Sequence, residues 1–351
     1  MKKSKIKTLK IVLSSLVIII AAILTLNIIG SLWNKRTPKG GINESMYVDI
    51  NGSKQWINIY GEDKNNPVLL YLHGGPGSST SEIDYAFTRK WADIFTIVTW
   101  DQRNCGKSYD KSQNNIKLTK EIFMEDGKEL TEFIRSYMDV DKISILGHSW
   151  GSIYGANLVR EHPYYYEMFI GCGQIVDIQE NEEAFKREAT KWAKDDEETQ
   201  KLIEKITPEE ITMDSVKAKN EILKKYGYSA MKDGSDYHLI TTLLFNPNYS
   251  IKDWSSYSKR NMDVYIEFYK SDDFKSFSLK GKYEYQVPYI NINGDKDYQV
   301  NYKLAEDYFD KVIAPKKELY IMENTSHGLM ESKSEEFSKI LHEVYEKYKI
   351  Y

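Results

Sequence analysis

The chain has 351 residues, with 48 basic and 52 acidic side chains and a formal net charge of -4, which gives no electrostatic case for a nucleic-acid partner. Its two cysteines, Cys105 and Cys172, are too few for a disulfide framework, and we expect two free thiols. No spacing of Cys or His is typical of a metal site, so neither a metal nor another cofactor is expected.

The first predicted element is an apolar helix. Five lysines lie between residues 2 and 10, and residues 11–33 then carry no charged side chain. As a helix this stretch would be about 34 Å long, against about 30 Å for the hydrocarbon core of a bilayer. The lysines before it predict a cytoplasmic tail at 1–10, a single-pass anchor in the cell membrane at 11–33 and a catalytic domain outside the cell. The alternative is a cleaved secretory signal, whose apolar core is usually shorter and is followed by a small-residue cleavage site.

A linker at 34–44 is expected to lead into an α/β domain. Residues 46–60 alternate in polarity around Asn51-Gly52, which predicts a hairpin. Strand patterns follow at 67–72, 95–100, 142–146 and 167–172, and they alternate with helical patterns near 84–92, at 119–138 and after residue 149. This alternation predicts a mostly parallel sheet with helices on both faces, whose first part spans residues 45–176.

Glycine-rich motifs follow two of these strands. His73-Gly74-Gly75-Pro76-Gly77 comes after an apolar run, and Gly147-His148-Ser149-Trp150-Gly151 comes after another. Gly-x-Ser-x-Gly between a strand and a helix is typical of the nucleophile elbow of the α/β-hydrolase fold, where a sharp turn exposes the serine hydroxyl. Ser149 is therefore the candidate nucleophile. The backbone amides of Gly75 and Trp150 are the candidate oxyanion hole.

A third motif, Asp101-Gln102-Arg103-Asn104-Cys105-Gly106-Lys107-Ser108, lies between the other two. With these motifs, residues 45–350 resemble the proline iminopeptidase (prolyl aminopeptidase) branch of the α/β-hydrolases. Asn104 and Ser152 stand where that family has glycine. Asn tolerates positive φ, so we expect the turn at Asn104 to persist. The resemblance implies a serine hydrolase that releases N-terminal residues from short peptides.

The other members of a catalytic triad should follow Ser149 in the order acid, then histidine. His327 is the expected base, because it lies in a loop between the strand pattern at 319–322 and the final helix. Asp295 and Asp297 both follow the strand pattern at 287–294. The family carries Gly-x-x-Asp at this point, which favours Asp297 and leaves Asp295 as the alternative. The second part of the core is expected at 283–351.

Residues 177–282 are predicted to form an inserted helical cap. Charged helical stretches run from Glu180 to Lys205 and from Pro208 to Tyr226, the second with Thr207 as its expected cap. An aminopeptidase of the kind that the resemblance implies needs a carboxylate for the substrate ammonium. The candidates are Glu180, Glu182, Glu183 and Glu267. Family members often carry a Trp-Glu pair in the cap, whereas none of the seven tryptophans here is followed by Glu.

Three functions are therefore compatible with the sequence. The first is a membrane-anchored serine aminopeptidase, and the second is a carboxylesterase or lipase that acts on lipophilic esters. The third is a non-catalytic binding module, against which the intact Ser149, Asp297 and His327 argue. Carboxylates in the cap pocket would favour the peptidase, and an apolar pocket would favour the esterase.

Overall fold

The computed structural model describes residues 2–249, 253 and 262–348. Its centre is an eight-stranded sheet in the order β1-β2-β4-β3-β5-β6-β7-β8. The first pairings, β1 with β2 and β2 with β4, are antiparallel, and all the others are parallel. The strands are β1 Ile42–Ile50, β2 Ser53–Gly61, β3 Val68–Leu72, β4 Thr96–Asp101, β5 Ile143–His148, β6 Tyr166–Cys172, β7 Tyr289–Gly294 and β8 Lys317–Met322.

The predicted hairpin is the β1–β2 pair. Asn51 and Gly52 form its turn with φ of 45° and 70°, values that Asn and Gly adopt most readily. β1 begins at Ile42, inside the predicted linker, because Ile42 pairs with Gly61 and so extends the ladder past residue 45.

Helices cover both faces of the sheet, as predicted. They are α1 Lys2–Asn34, α2 Tyr85–Thr88, α3 Lys120–Met138, α4 Trp150–Glu161, α5 Ile178–Trp192, α6 Glu197–Ile203, α7 Met213–Lys225, α8 Leu239–Leu244, α9 Met262–Lys270, α10 Asp272–Lys275, α11 Tyr302–Lys311, α12 Leu329–Ser332 and α13 Ser334–Tyr348. The helix predicted near 84–92 is split into α2 and a 3-10 turn at Arg89–Trp91. One apolar cluster packs around α3 and α4, and a second packs around α13 on the other side of the sheet.

The described part of the cap lies between β6 and β7 and runs from α5 to α10. Residues 250–252 and 254–261 of the predicted cap lie outside the described residues. The same is true of Met1 in the predicted tail and of residues 349–351 in the predicted core. α5, α6 and α7 share an apolar cluster of their own. Its buried members are Phe185, Ala189, Ala193, Ile203, Ile206, Ala218, Ile222 and Leu223.

Two predicted helix bounds in the cap are wrong. The stretch from Glu180 to Lys205 is two helices, because Asp196 accepts a hydrogen bond from the amide of Thr199 (3.1 Å) and so caps a new helix, α6. The next helix does not begin at Thr207-Pro208. The Thr207 hydroxyl donates to the carbonyl oxygen of Glu210 (2.8 Å) and closes a turn, and α7 begins only after Thr212, whose hydroxyl caps it.

The apolar stretch forms most of α1. Within the described residues, Thr8–Asn34 is long and apolar enough to cross a membrane, although an N-terminal signal sequence would meet the same criterion. Its end contacts the cap. The side chains of Asn27, Ser31 and Asn34 donate to the carbonyl oxygens of residues 244–246 at 2.5–2.9 Å, so they satisfy carbonyl groups at the end of α8.

Candidate active site

Ser149 occupies the sharp turn between β5 and α4. Its backbone has φ 55° and ψ -120°, a conformation that a non-glycine residue adopts only at a strained turn. The flanking glycines make this turn possible, since a Cβ on Gly147 would lie 2.1 Å from the carbonyl oxygen of Gly151. A Cβ on Gly151 would in turn lie 2.0 Å from the carbonyl oxygen of Leu72, so neither position accepts a side chain.

The structure brings His327 and Asp297 together. Nδ1 of His327 lies 2.7 Å from Oδ2 of Asp297, and both residues are buried. The other carboxylate oxygen of Asp297 accepts a hydrogen bond from the amide of Val300 at 2.9 Å. Since a carboxylate accepts, Nδ1 of His327 donates and its Nε2 is left with a lone pair. Asp295 instead accepts from the amide of Thr325 (3.2 Å) and pairs with Lys296 (3.1 Å).

β6 connects this pair to the elbow. The Ser149 amide donates to the carbonyl oxygen of Cys172, the last residue of β6, at 2.9 Å. Gly173 follows with φ 52°, and a Cβ there would lie 3.2 Å from Nδ1 of His327 and 3.3 Å from Oδ2 of Asp297. The end of β6 therefore passes directly beside both the nucleophile turn and the His327–Asp297 pair. Sequence reasoning did not single out Gly173.

His148 is a further residue that the sequence analysis did not assign to the site. Its ring lies 4.7 Å from the ring of His327, and its Nε2 lies 2.9 Å from the carbonyl oxygen of His327. Burial, and the neighbouring His327, lower the pKa of His148 to about 3, so it is neutral at physiological pH. Because a carbonyl oxygen only accepts, the neutral ring carries its hydrogen on Nε2 and donates it to His327.

The two residues of the candidate oxyanion hole lie beside Ser149. Gly75 and Ser149 line the same cavity of about 180 Å³, and Trp150 is the first residue of α4, where backbone amides have no partner within the helix.

Gln102 connects the glycine-rich loop after β3 to the elbow at Ser149. Its side-chain amide donates to the carbonyl oxygen of His73 (3.3 Å) and accepts from the Trp150 indole (3.0 Å). The Gln102 side chain therefore holds the glycine-rich loop beside the elbow.

The rest of the middle motif has structural roles. Arg103 forms a two-pronged, buried ion pair with Asp126, with nitrogen–oxygen distances of 2.7 and 2.6 Å. Asn104 has φ 59°, as expected for an asparagine in place of glycine. Cys105 and Cys172 are both buried, and neither forms a disulfide.

The four candidate carboxylates of the cap lie in different places. Glu182 lines the cavity that contains Ser149, together with Ile175, Ile178, Tyr269 and Phe274. Glu180 pairs with Lys280 at 3.0 Å, and Glu183 lines a shallow outer groove. Glu267 is exposed and lines a separate, larger cavity of about 490 Å³. Only Glu182 of the four is therefore brought to the cavity of Ser149.

Glu182 is not alone in this cavity. Its Oε1 lies 2.5 Å from Nζ of Lys219 and also accepts a hydrogen bond from Asn181 (3.2 Å). Lys219 lines the same cavity, and the sequence analysis did not single it out. Among the described residues, no group of three or more His, Cys, Asp or Glu side chains is arranged to hold a metal ion.

Residues 67–334 match a model of the alpha/beta hydrolase fold family, which covers more than half of the chain. The chain belongs to this family. It is a hydrolase, similar to the proline iminopeptidases.

Among the relatives of this hydrolase is the Bacillus subtilis (strain 168) protein named "Probable aminopeptidase YbaC", 26% identical over 297 residues, which are 80% of this chain and 89% of that protein. The "Proline iminopeptidase" of Heyndrickxia coagulans is 24% identical over 84% of this chain and 96% of its own. The crystal structure of the proline iminopeptidase of Mycobacterium smegmatis has the same fold, with a TM-score of 0.60, 17% identity and coverage of 87% of this chain and 98% of that one.

Proposed function

We propose that this hydrolase is a serine aminopeptidase in which Ser149 attacks, His327 acts as base and Asp297 orients the histidine. The observation that carries the proposal is the strained backbone of Ser149 beside the buried 2.7 Å contact between His327 and Asp297. In a nucleophile–base–acid triad, a carboxylate orients a histidine in this way beside the nucleophile, which supports the proposal.

In the proposed reaction, Nε2 of His327 takes the hydroxyl proton as Oγ of Ser149 bonds to the substrate carbonyl carbon. The carbonyl oxygen becomes negative and receives hydrogen bonds from the amides of Gly75 and Trp150. The C–N bond then breaks, and His327 delivers the proton to the leaving amine. Water then attacks the acyl carbon while His327 again takes the proton. The bond from that carbon to Oγ of Ser149 breaks, the N-terminal residue is released as an acid, and His327 returns the proton to Oγ.

The proposed substrate is a short peptide with a free amino terminus. Two observations support it: the full-length relatives are named as aminopeptidases, and a carboxylate oxygen of Glu182 is available in the cavity. Among the described residues, Oε2 of Glu182 has no hydrogen-bond donor, so it is the atom that we assign to the substrate ammonium. A cavity of about 180 Å³ has room for a single amino-acid side chain.

We also propose that α1 anchors this hydrolase in the cell membrane, with the catalytic domain on the outer side. The absence of charge over residues 11–33 and the large exposed apolar side chains of α1 support an anchor, and the lysines before it support the orientation.

The deciding experiment compares three substrate classes with the full chain in detergent. We expect turnover of aminoacyl p-nitroanilides, a loss of at least 100-fold in kcat/KM when the amine is acetylated, and no turnover of either by Ser149→Ala. Equal cleavage of free and acetylated anilides, with short acyl esters preferred to both, would instead assign the protein to the esterases. Failure of a fluorophosphonate to label the wild-type protein would contradict the serine mechanism itself.

A further inference from the structure

Lys219 is a buried cation in the cavity that contains Ser149. The residue is 8% exposed, and it is one of the residues that line the cavity. An ammonium has three N–H donors, and Lys219 directs one of them to Glu182. Among the residues that the structure describes, the other two have no acceptor. These two donors are therefore available to an acceptor that a ligand brings into the cavity.

The position of Lys219 is fixed by the fold of the cap. α7 begins with a capping box, in which the Thr212 hydroxyl accepts from the amide of Ser215 (3.1 Å) and the Ser215 hydroxyl accepts from the amide of Thr212 (2.9 Å). Lys219 lies one turn further along, with its ammonium 4.9 Å from the centre of the Phe185 ring. The helix start and this aromatic contact hold the ammonium beside Glu182 rather than in solvent.

The ion pair between Lys219 and Glu182 changes which substrates the cavity favours. A substrate that carries only an ammonium would find Glu182 already neutralised by Lys219 and would leave a net positive charge in the cavity. A substrate that carries an ammonium and a carboxylate close together would add one charge of each sign. Its ammonium would meet Oε2 of Glu182 and its carboxylate would meet the two remaining donors of Lys219, so that opposite charges alternate.

We propose that Lys219 binds a carboxylate on the acyl part of the substrate, and that the preferred substrates are peptides with an N-terminal glutamate or aspartate. The inference rests on the proposed aminopeptidase function, and it adds which side chains the cavity selects at the N-terminal residue of the substrate. In an N-terminal acidic residue, the α-ammonium and the side-chain carboxylate belong to the same residue and are a few bonds apart. Glu182 and Lys219 are likewise neighbours, and they line one cavity with Ser149.

The test uses isosteric pairs of substrates that differ only in charge. For the wild-type protein, the p-nitroanilides of glutamate and aspartate should have kcat/KM values at least about 10-fold above those of glutamine and asparagine, since hydrogen bonds between charged groups are stronger than those to neutral groups. Lys219→Met should lose this preference, because the donors that bind the substrate carboxylate are gone. Lys219→Arg should keep the preference for the acidic residue. Lys217→Met, on the exposed side of the same helix, is the matched control and should behave as wild type.

A second measurement does not depend on turnover or on a variant. The α-amide of glutamic acid should slow fluorophosphonate labelling of wild-type Ser149 at lower concentration than the α-amide of glutamine. Equal protection by the two amides, or equal kcat/KM for the acidic and neutral anilides, would overturn the role of Lys219 while leaving the aminopeptidase intact. Preferential protection without cleavage of any anilide would retain the carboxylate site and reject the aminopeptidase.

Discussion

The ring of His148 donates a hydrogen bond to the backbone carbonyl oxygen of His327 over 2.9 Å, so the residue before the proposed nucleophile holds the backbone of the proposed base. This contact joins the end of β5 to the loop after β8, and the two residues are 179 positions apart in the chain. It depends on the neutral state of His148, which burial maintains by lowering the pKa of the ring to about 3.

We expect the loss of this contact to reduce turnover without abolishing it. His148→Leu removes the donor and should lower kcat about 10-fold, whereas His148→Gln keeps an N–H near the position of Nε2 and should recover much of the rate. The kcat and KM of both variants on one aminoacyl anilide are the measurement, with fluorophosphonate labelling as a check that Ser149 is intact. Equal loss in the two variants would show that packing, rather than the hydrogen bond, is what His148 contributes.

The identity of the triad acid is tested by a matched pair of substitutions. Asp297→Asn should lower kcat by about 10⁴-fold, because the amide no longer holds His327 in the tautomer that accepts the serine proton. Asp295→Asn should cost less than about 10-fold, since Asp295 contacts the amide of Thr325 and Lys296 and not His327. A larger loss for the Asp295 variant would transfer the role of acid to that residue.

Gln102 should contribute to stability as well as to the site. Gln102→Met removes the acceptor of the Trp150 indole N–H and a donor to the carbonyl oxygen of His73, and both residues are buried. We expect a loss of about 2 kcal/mol in the free energy of unfolding, measured by urea denaturation, and a lower kcat because the oxyanion loop is less well held. Gln179→Met, at an exposed hydrogen bond on α5, serves as the control and should change neither value measurably.

Asp84 predicts a pH dependence of stability. Burial, with a smaller contribution from the charge of Asp101, raises the pKa of the Asp84 carboxyl to about 8, against 3.8 for the ordinary group. Between those two pH values the folded state holds a proton that the unfolded chain has released, so stability falls as pH rises from about 4 to about 8. The slope from this group is about 1.4 kcal/mol for each pH unit. Asp84→Asn should remove it, and the advantage of the variant in urea denaturation should therefore grow with pH across this window. A constant difference between pH 4 and pH 8 would contradict the raised pKa.

The membrane proposal predicts how the protein fractionates. The full chain should sediment with membranes, remain there in high salt and be released by detergent, because an uncharged helix is held by hydrophobic burial that salt does not screen. Protease applied to intact cells should release an active domain. Recovery from the medium of a mature protein that begins near residue 34 would show a cleaved signal sequence instead.

The sequence by itself identified the elbow because that turn is local. Gly147 and Gly151 lie within two residues of Ser149, and the need for small side chains there follows from backbone geometry alone. The hairpin at Asn51-Gly52 was predictable for the same reason. The long uncharged stretch in α1 also required only a count of residues along the chain.

Only the tertiary structure decided which cap carboxylate lines the cavity and that Lys219 lies beside it. Glu182 and Glu183 are neighbours on α5, but successive residues point about 100° apart around a helix, so one lines the cavity and the other an outer groove. Lys219 reaches Glu182 from 37 residues away, and His148 reaches His327 from 179. No local pattern encodes such pairs, because their distances are set by how α7 packs on α5 and by how the loops at the carboxyl ends of separate strands converge.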